Sequence, residues 1–161
     1  MNSSIRLVMK VVVAAAALAA AVGVRADDLR PSGPMLPLYV QECGSCHVAY
    51  APGLLPAESW HRIMGRLQQH YGSDASIDAA STKAIAAWLG ANAGTYKKVQ
   101  RNGETPPEDR ISRAAWFVRE HREVRADVWK RASVKSASNC EACHTQAAAG
   151  SFREREIRIP Q

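Results

Sequence analysis

Two short motifs of the same form constrain this chain more than anything else in it. They are Cys43-Gly44-Ser45-Cys46-His47 and Cys140-Glu141-Ala142-Cys143-His144, and together they use all four cysteines. C-x-x-C-H is the attachment signature of c-type haem, and the chemistry dictates the spacing. Two thiols must each add to a vinyl group on one edge of the same porphyrin, so a short turn has to present both sulfurs to that edge. The next histidine then falls under the iron as its proximal ligand. Other uses of these residues ask for more. A zinc centre needs the two distant motifs to converge on one ion. A redox dithiol needs a strand-to-helix context, which neither segment has. Disulfides within each motif suit an exported chain but leave the repeated histidine unexplained. Cys43, Cys46, Cys140 and Cys143 are therefore read as the covalent attachment points of two c-type haems, and His47 and His144 as the proximal iron ligands.

Residues 1–26 agree with that chemistry. Arg6 and Lys10 precede an apolar run from Val11 to Val22, and Val24-Arg25-Ala26 offers small residues at −3 and −1 of a cleavage site. This is the pattern of a Sec-type signal peptide. The run is short for a membrane span of about 20 residues, so the mature chain is expected in the periplasm without membrane insertion. Covalent haem attachment takes place on that side of a bacterial membrane. Removing the signal changes the charge arithmetic. The formal charge of the 161 residues is +6, but Arg6, Lys10 and Arg25 leave with the signal, so 18 basic residues then face 15 acidic ones. A net +3 is no basis for a nucleic-acid partner. A mature chain of 135 residues holds one domain or two small ones with thin cores, unless cofactors fill the interior.

Each iron has a sixth position, and the mature chain offers His61, His70, His121, Met35 and Met64 for it. Residues 57–70 read as one amphipathic helix with Trp60, Ile63, Met64 and Leu67 on one face. At about 100° per residue, His70 lies roughly 20° from Ile63 and points inward. His61 falls on the opposite face, as a surface histidine does. Met64 sits on the apolar face, where core packing is the ordinary role of methionine. A second helix is expected over 112–122, with Ser112 as N-cap and Ala114, Phe117 and Val118 on the side of His121. Two irons need partners, and two inward-facing histidines are available, so His70 and His121 are read as the distal ligands. Proximity suggests His70 with His47 and His121 with His144, but a crossed pairing is equally open.

The fold class expected is all-α, with no strong strand pattern anywhere. After a Pro-rich lead-in, a short helix from about Leu38 carries the first motif, and 51–56 form a loop. A helix from Asp78 to Asn92 buries Ile77, Ala84, Ile85, Trp88 and Leu89, and Gly94 ends it. Residues 97–110 are polar and hold Gly103, Pro106 and Pro107, so they read as a linker. This divides the chain into a signal peptide (1–26), a first haem unit (27–96), a linker (97–110) and a second, helical to irregular haem unit (111–161) packed against the first.

Several segments carry a family resemblance. Leu55-Pro56-Ala57-Glu58-Ser59-Trp60, Ile63-Met64, His70-Tyr71-Gly72, Trp116-Phe117, His121-Arg122-Glu123-Val124, Ser133-Val134-Lys135-Ser136 and Ile157-Arg158-Ile159-Pro160 are among them. In these the chain resembles the bacterial periplasmic dihaem cytochromes c. The resemblance covers nearly all of the mature chain. It implies an N-terminal unit similar to a class I cytochrome c, a less typical C-terminal unit, and two low-potential haems each ligated by two histidines, with His70 and His121 on the family's histidine positions. It also implies redox protein partners, namely a small oxygen-binding haem cytochrome and a membrane b-type cytochrome. The function expected is electron transfer. The alternatives are a small dihaem enzyme of peroxidase type, or a ligand sensor in which His61 or Met64 exchanges at one iron. Basic residues at Lys130–Lys135 and Arg153–Arg158 read either as a docking face for an acidic partner or as solvated surface.

Overall fold

The computed structural model describes residues 34–161, so the expected signal peptide lies outside the described residues. Among these residues are five α-helices: α1 (Pro37–Cys43), α2 (Ala57–Met64), α3 (Ala79–Asn92), α4 (Lys97–Asn102) and α5 (Ala115–Glu120), joined by short 3₁₀ turns. No strand is present among them; His70 with Ser73 and His144 with Ile157 form isolated bridges. The protein is all-α, and beyond α5 only 3₁₀ turns and irregular chain remain.

The helices form for local reasons. Pro37 opens α1, where a missing N–H is harmless, and the helix runs into the first motif, ending at Cys43. Asp78 caps α3 by accepting from the amides of Ala80 and Ser81 at 2.9 Å each. Just beyond α3, Gly94 adopts φ +64, and its amide donates to the carbonyl of Leu55 at 2.8 Å. That bond returns the chain to the 51–56 loop. The indole of Trp60 donates to the carbonyl of Pro52 at 2.7 Å and draws the same loop onto α2.

Five expectations are corrected. The helix read over 57–70 ends at Met64. Gly65, a poor helix former, takes the cap, and Arg66 leaves helical geometry at φ −137 before a 3₁₀ turn over Leu67–Gln69. His70 therefore does not extend the helical face. The helix read over 112–122 is interrupted too: Ile111–Arg113 form a 3₁₀ turn, and Ala114, not Ser112, occupies the N-cap. Val118 is 59% exposed, because this short helix turns Trp116 and Phe117 inward and leaves the flank of Val118 uncovered. Ala84 is exposed as well, since α3 meets α2 along the narrower stripe of Ile85 and Leu89. Finally, the polar stretch after residue 96 begins with a helix, α4, whose Val99 is buried; Gly103 stops it at φ +56.

Two cores result. The first gathers Tyr39, Leu55, Trp60, Met64, Ile85 and Leu89. The second gathers Ala51, Leu54, Val99, Ala114, Trp116 and Phe117, with Trp129 and Phe152 packed against it. This second core draws on both halves of the chain, so residues after 110 pack on the loop that follows the first motif. Among the described residues no helix is long and apolar enough to cross a membrane.

Candidate functional site

The four histidines singled out above come together in two pairs. The rings of His47 and His70 stand 6.1 Å apart between centroids, with planes only 17° from parallel. The rings of His121 and His144 stand 6.0 Å apart, with planes at 77°. Metal–imidazole bonds are about 2 Å, so two imidazoles sharing one metal ion place their ring centres roughly 6 Å apart. Each pair has the spacing of two imidazoles that share one metal ion. His61 is exposed. Met64 lies in the first core among Trp60, Ile85 and Leu89, and Met35 packs at its edge.

Backbone carbonyls orient two of the rings. Nδ1 of His47 lies 2.8 Å from the carbonyl oxygen of Val48, and Nδ1 of His121 lies 2.9 Å from that of Phe117. A carbonyl oxygen only accepts, so Nδ1 carries the proton in both, and Nε2 keeps its lone pair for a metal. Nδ1 of His144 is buried without a partner. Burial, and then the neighbouring charge of His47, lower the pKa of His70; burial and His121 do the same for His144. Both effects favour the neutral imidazole, which is the form that ligates.

The cysteines are carried differently in the two motifs. Cys43 ends α1, and the amide of Gly44 donates to the carbonyl of Val40 at 2.9 Å. A Cβ at Gly44 would collide with that same carbonyl oxygen, so the turn demands glycine there. In the second motif Cys140–Ala142 form a 3₁₀ turn, and Glu141 occupies the equivalent position without difficulty. The amide of His144 donates to the carbonyl of Cys140 at 2.8 Å. No disulfide joins any of the four cysteines. Burial, followed by nearby acidic groups, pushes Cys43 up to about 11, and burial does the same to Cys140. A redox dithiol depends on a depressed pKa, the opposite of the direction at Cys43 and Cys140.

Aromatic rings surround both pairs. Tyr50 stacks on His47 at 4.8 Å, and its hydroxyl donates to the carbonyl of Ser138 at 2.5 Å, two residues before Cys140. One side chain thus links the first motif to the residues just before the second. Phe117 stacks on His121 at 3.9 Å, Trp129 lies 5.9 Å from the same ring, and Phe152 lies 5.0 Å from His144. Sequence reasoning placed Phe117 beside His121 but assigned no role to Tyr50, Trp129 or Phe152. Tyr50 follows His47 by three residues, which is the only local sign of its place. The C-terminal stretch is tied to the second motif rather than loose. The amide of Arg158 donates to the carbonyl of Cys143 at 2.8 Å, the hydroxyl of Thr145 donates to the carbonyl of Glu156 at 2.9 Å, and Arg131 donates to the carbonyl of Pro160 at 2.6 Å.

Known proteins resemble this chain over the same span. The profile of the dihaem cytochrome c family matches residues 39–152. A crystal structure of DHC purified from Rhodobacter sphaeroides shares 40% identity over 74% of this chain and 98% of its own, with a TM-score of 0.63. Another diheme cytochrome c structure from the same organism shares 42% identity over 73% and 97%, with a TM-score of 0.66. An X-ray structure of a diheme cytochrome type c from Shewanella baltica OS155 shares 35% identity over 80% and 95%, with a TM-score of 0.67. No curated protein matched.

Proposed function

Because the chain belongs to the dihaem cytochrome c family and so carries two c-type haems, we propose that it is a periplasmic electron carrier. In this reading each iron is held between two histidines, His47 with His70 and His121 with His144. The observation that supports it most is the spacing of the two ring pairs, 6.1 and 6.0 Å. Bound haem supplies storage for one electron at each iron. The residues of the chain do the rest. The four cysteines fix each porphyrin edge, the carbonyls of Val48 and Phe117 hold two imidazoles in the ligating tautomer, and Phe117, Trp129 and Phe152 crowd the second pair. Two histidines held to each iron would leave no position for a substrate, and the haems would supply electron transfer without bond-making. The signal features of residues 1–26 support export to the periplasm. The partners of this reading are other redox proteins, by family expectation an oxygen-binding haem cytochrome and a membrane b-type cytochrome.

A spectroelectrochemical titration of the purified holoprotein tests this. Two one-electron waves are expected, with low-spin spectra throughout, no carbon monoxide adduct after reduction and no turnover of hydrogen peroxide. A carbon monoxide adduct or peroxide turnover in the unmodified protein contradicts the carrier and favours the sensor or the peroxidase.

A further inference from the structure

Three residues other than glycine adopt positive φ within one small region: Tyr71 (+53), Glu108 (+57) and Asp109 (+56). Such conformations carry strain and persist only where the surroundings over-determine them. Here the surroundings form a chain of contacts that ends on His70. Asp109 is only 4% exposed. Its carboxylate accepts from Arg62 at 2.8 Å (Nη2) and at 3.0 and 3.2 Å (Nε), and from Arg66 at 3.4 Å. Both arginines stand at the C-terminal end of α2, where the chain breaks toward His70. Burial alone would raise the pKa of Asp109; hydrogen bonds from Arg62, with the charges of Arg62 and Arg66, hold it below the ordinary carboxylate value. The anion is kept and shielded.

From Asp109 the contacts pass to Tyr71. The Tyr71 hydroxyl donates between the carbonyls of Glu108 and Asp109, 3.1 Å from each. The Arg110 guanidinium covers the Tyr71 ring at 4.1 Å from its centroid. The ring stands edge-on to His70 at 4.9 Å. His70 otherwise hangs on a turn: its amide donates to the carbonyl of Leu67 at 3.2 Å, and its carbonyl accepts from Ser73 at 3.0 Å. His47, by contrast, follows a thioether-forming cysteine directly and is anchored at Nδ1. His70 is therefore the ligand of this pair that depends on non-local support.

We propose that Asp109 is a positioning residue for His70. By latching the 107–110 turn onto α2 and clamping Tyr71 from behind, it keeps the His70 imidazole on the first iron. The inference rests on the bis-histidine reading above. It gives a role to a segment whose composition suggests only a linker.

The test uses the holoproteins of Asp109→Asn and Tyr71→Phe, with carbon monoxide as probe of the ferrous state. Carbon monoxide reaches a six-coordinate haem only while a protein ligand is off, so uptake reports how often His70 leaves. Both variants are expected to form a carbon monoxide adduct at one haem, at a rate at least roughly tenfold above the detection limit at which the parent forms none, in line with the loss of one hydrogen bond to a strongly held or charged partner. The second haem should stay low-spin and inert and so serves as the internal control for folding. If Asp109→Asn fails to fold, Tyr71→Phe decides alone, because it removes a single hydroxyl from a side chain that is 42% exposed. Variants that lose thermal stability while both haems stay low-spin and carbon monoxide uptake matches the parent overturn the proposal, leaving Asp109 as packing only. If the unmodified protein itself takes up carbon monoxide readily, the bis-histidine reading fails instead.

Discussion

Replacing His121 with alanine is expected to turn one haem of the two high-spin and leave the other unchanged. The imidazole of His121 faces His144 at 6.0 Å, is aimed by the carbonyl of Phe117, and stacks on the Phe117 ring at 3.9 Å. Among the described residues no other histidine or methionine is placed to substitute for it. His61 is exposed on α2, and Met64 is enclosed in the first core. Truncation therefore leaves one iron with a single protein ligand. The ferric spectrum should show high-spin character in half of the haem, and the reduced protein should bind carbon monoxide at one site. His61→Ala is the matching control and should change neither haem. If both haems stay low-spin in His121→Ala, the assignment of that ligand is wrong. If both turn high-spin, the two sites are not independent.

The largest effect on stability is expected in the first core. Ile85 is fully buried between α3 and α2, among Tyr39, Leu55, Trp60, Met64 and Leu89. Ile85→Ala removes buried methyl groups from a close-packed site and leaves a cavity, a change that costs about 2–5 kcal/mol. Ile85→Val should cost about 0.5–1.5 kcal/mol. Urea unfolding of the holoproteins measures both as a lower midpoint at unchanged slope. Met64→Leu conserves volume and should cost less than about 1.5 kcal/mol. It should also leave both haem spectra as they were, because Met64 serves packing and not iron. A spectral change in Met64→Leu would return it to the list of candidate ligands.

Covalent chemistry was far more legible in the sequence than geometry. The two C-x-x-C-H motifs name their cofactor because thioether formation fixes both residue types and spacing. α3 was legible because Asp78 is a strong cap and Ile85 and Leu89 repeat at helical spacing. His70 was found by helical phase although the helix does not reach it: Gly65 ends α2, and the turn over 67–73 delivers the imidazole to the same side by another route. The helical-phase argument fails, and the turn instead sets the His70 ring 6.1 Å from that of His47. The stretch 97–110 misled because its composition is polar. Val99 is buried by its neighbours, and Asp109 is buried because Arg62, distant in sequence, neutralises it. Non-local pairing of that kind has no local signature. The same holds for Tyr50, whose bond to Ser138 spans 88 positions.

The central claim is that each haem iron sits between two imidazoles of its own half of the chain, and electron paramagnetic resonance of the fully ferric protein tests it most directly. Imidazole planes that lie parallel donate to one iron d orbital and split the pair, which gives a rhombic low-spin signal. Planes that cross at right angles donate to both orbitals equally, which gives a strongly anisotropic signal with one large g value. The plane angles are 17° for His47 with His70 and 77° for His121 with His144. The spectrum should therefore hold two low-spin signals of equal weight, one rhombic and one strongly anisotropic, with only the anisotropic one lost in His121→Ala. A high-spin signal in the unmodified protein, or loss of the rhombic signal in that variant, would contradict the account.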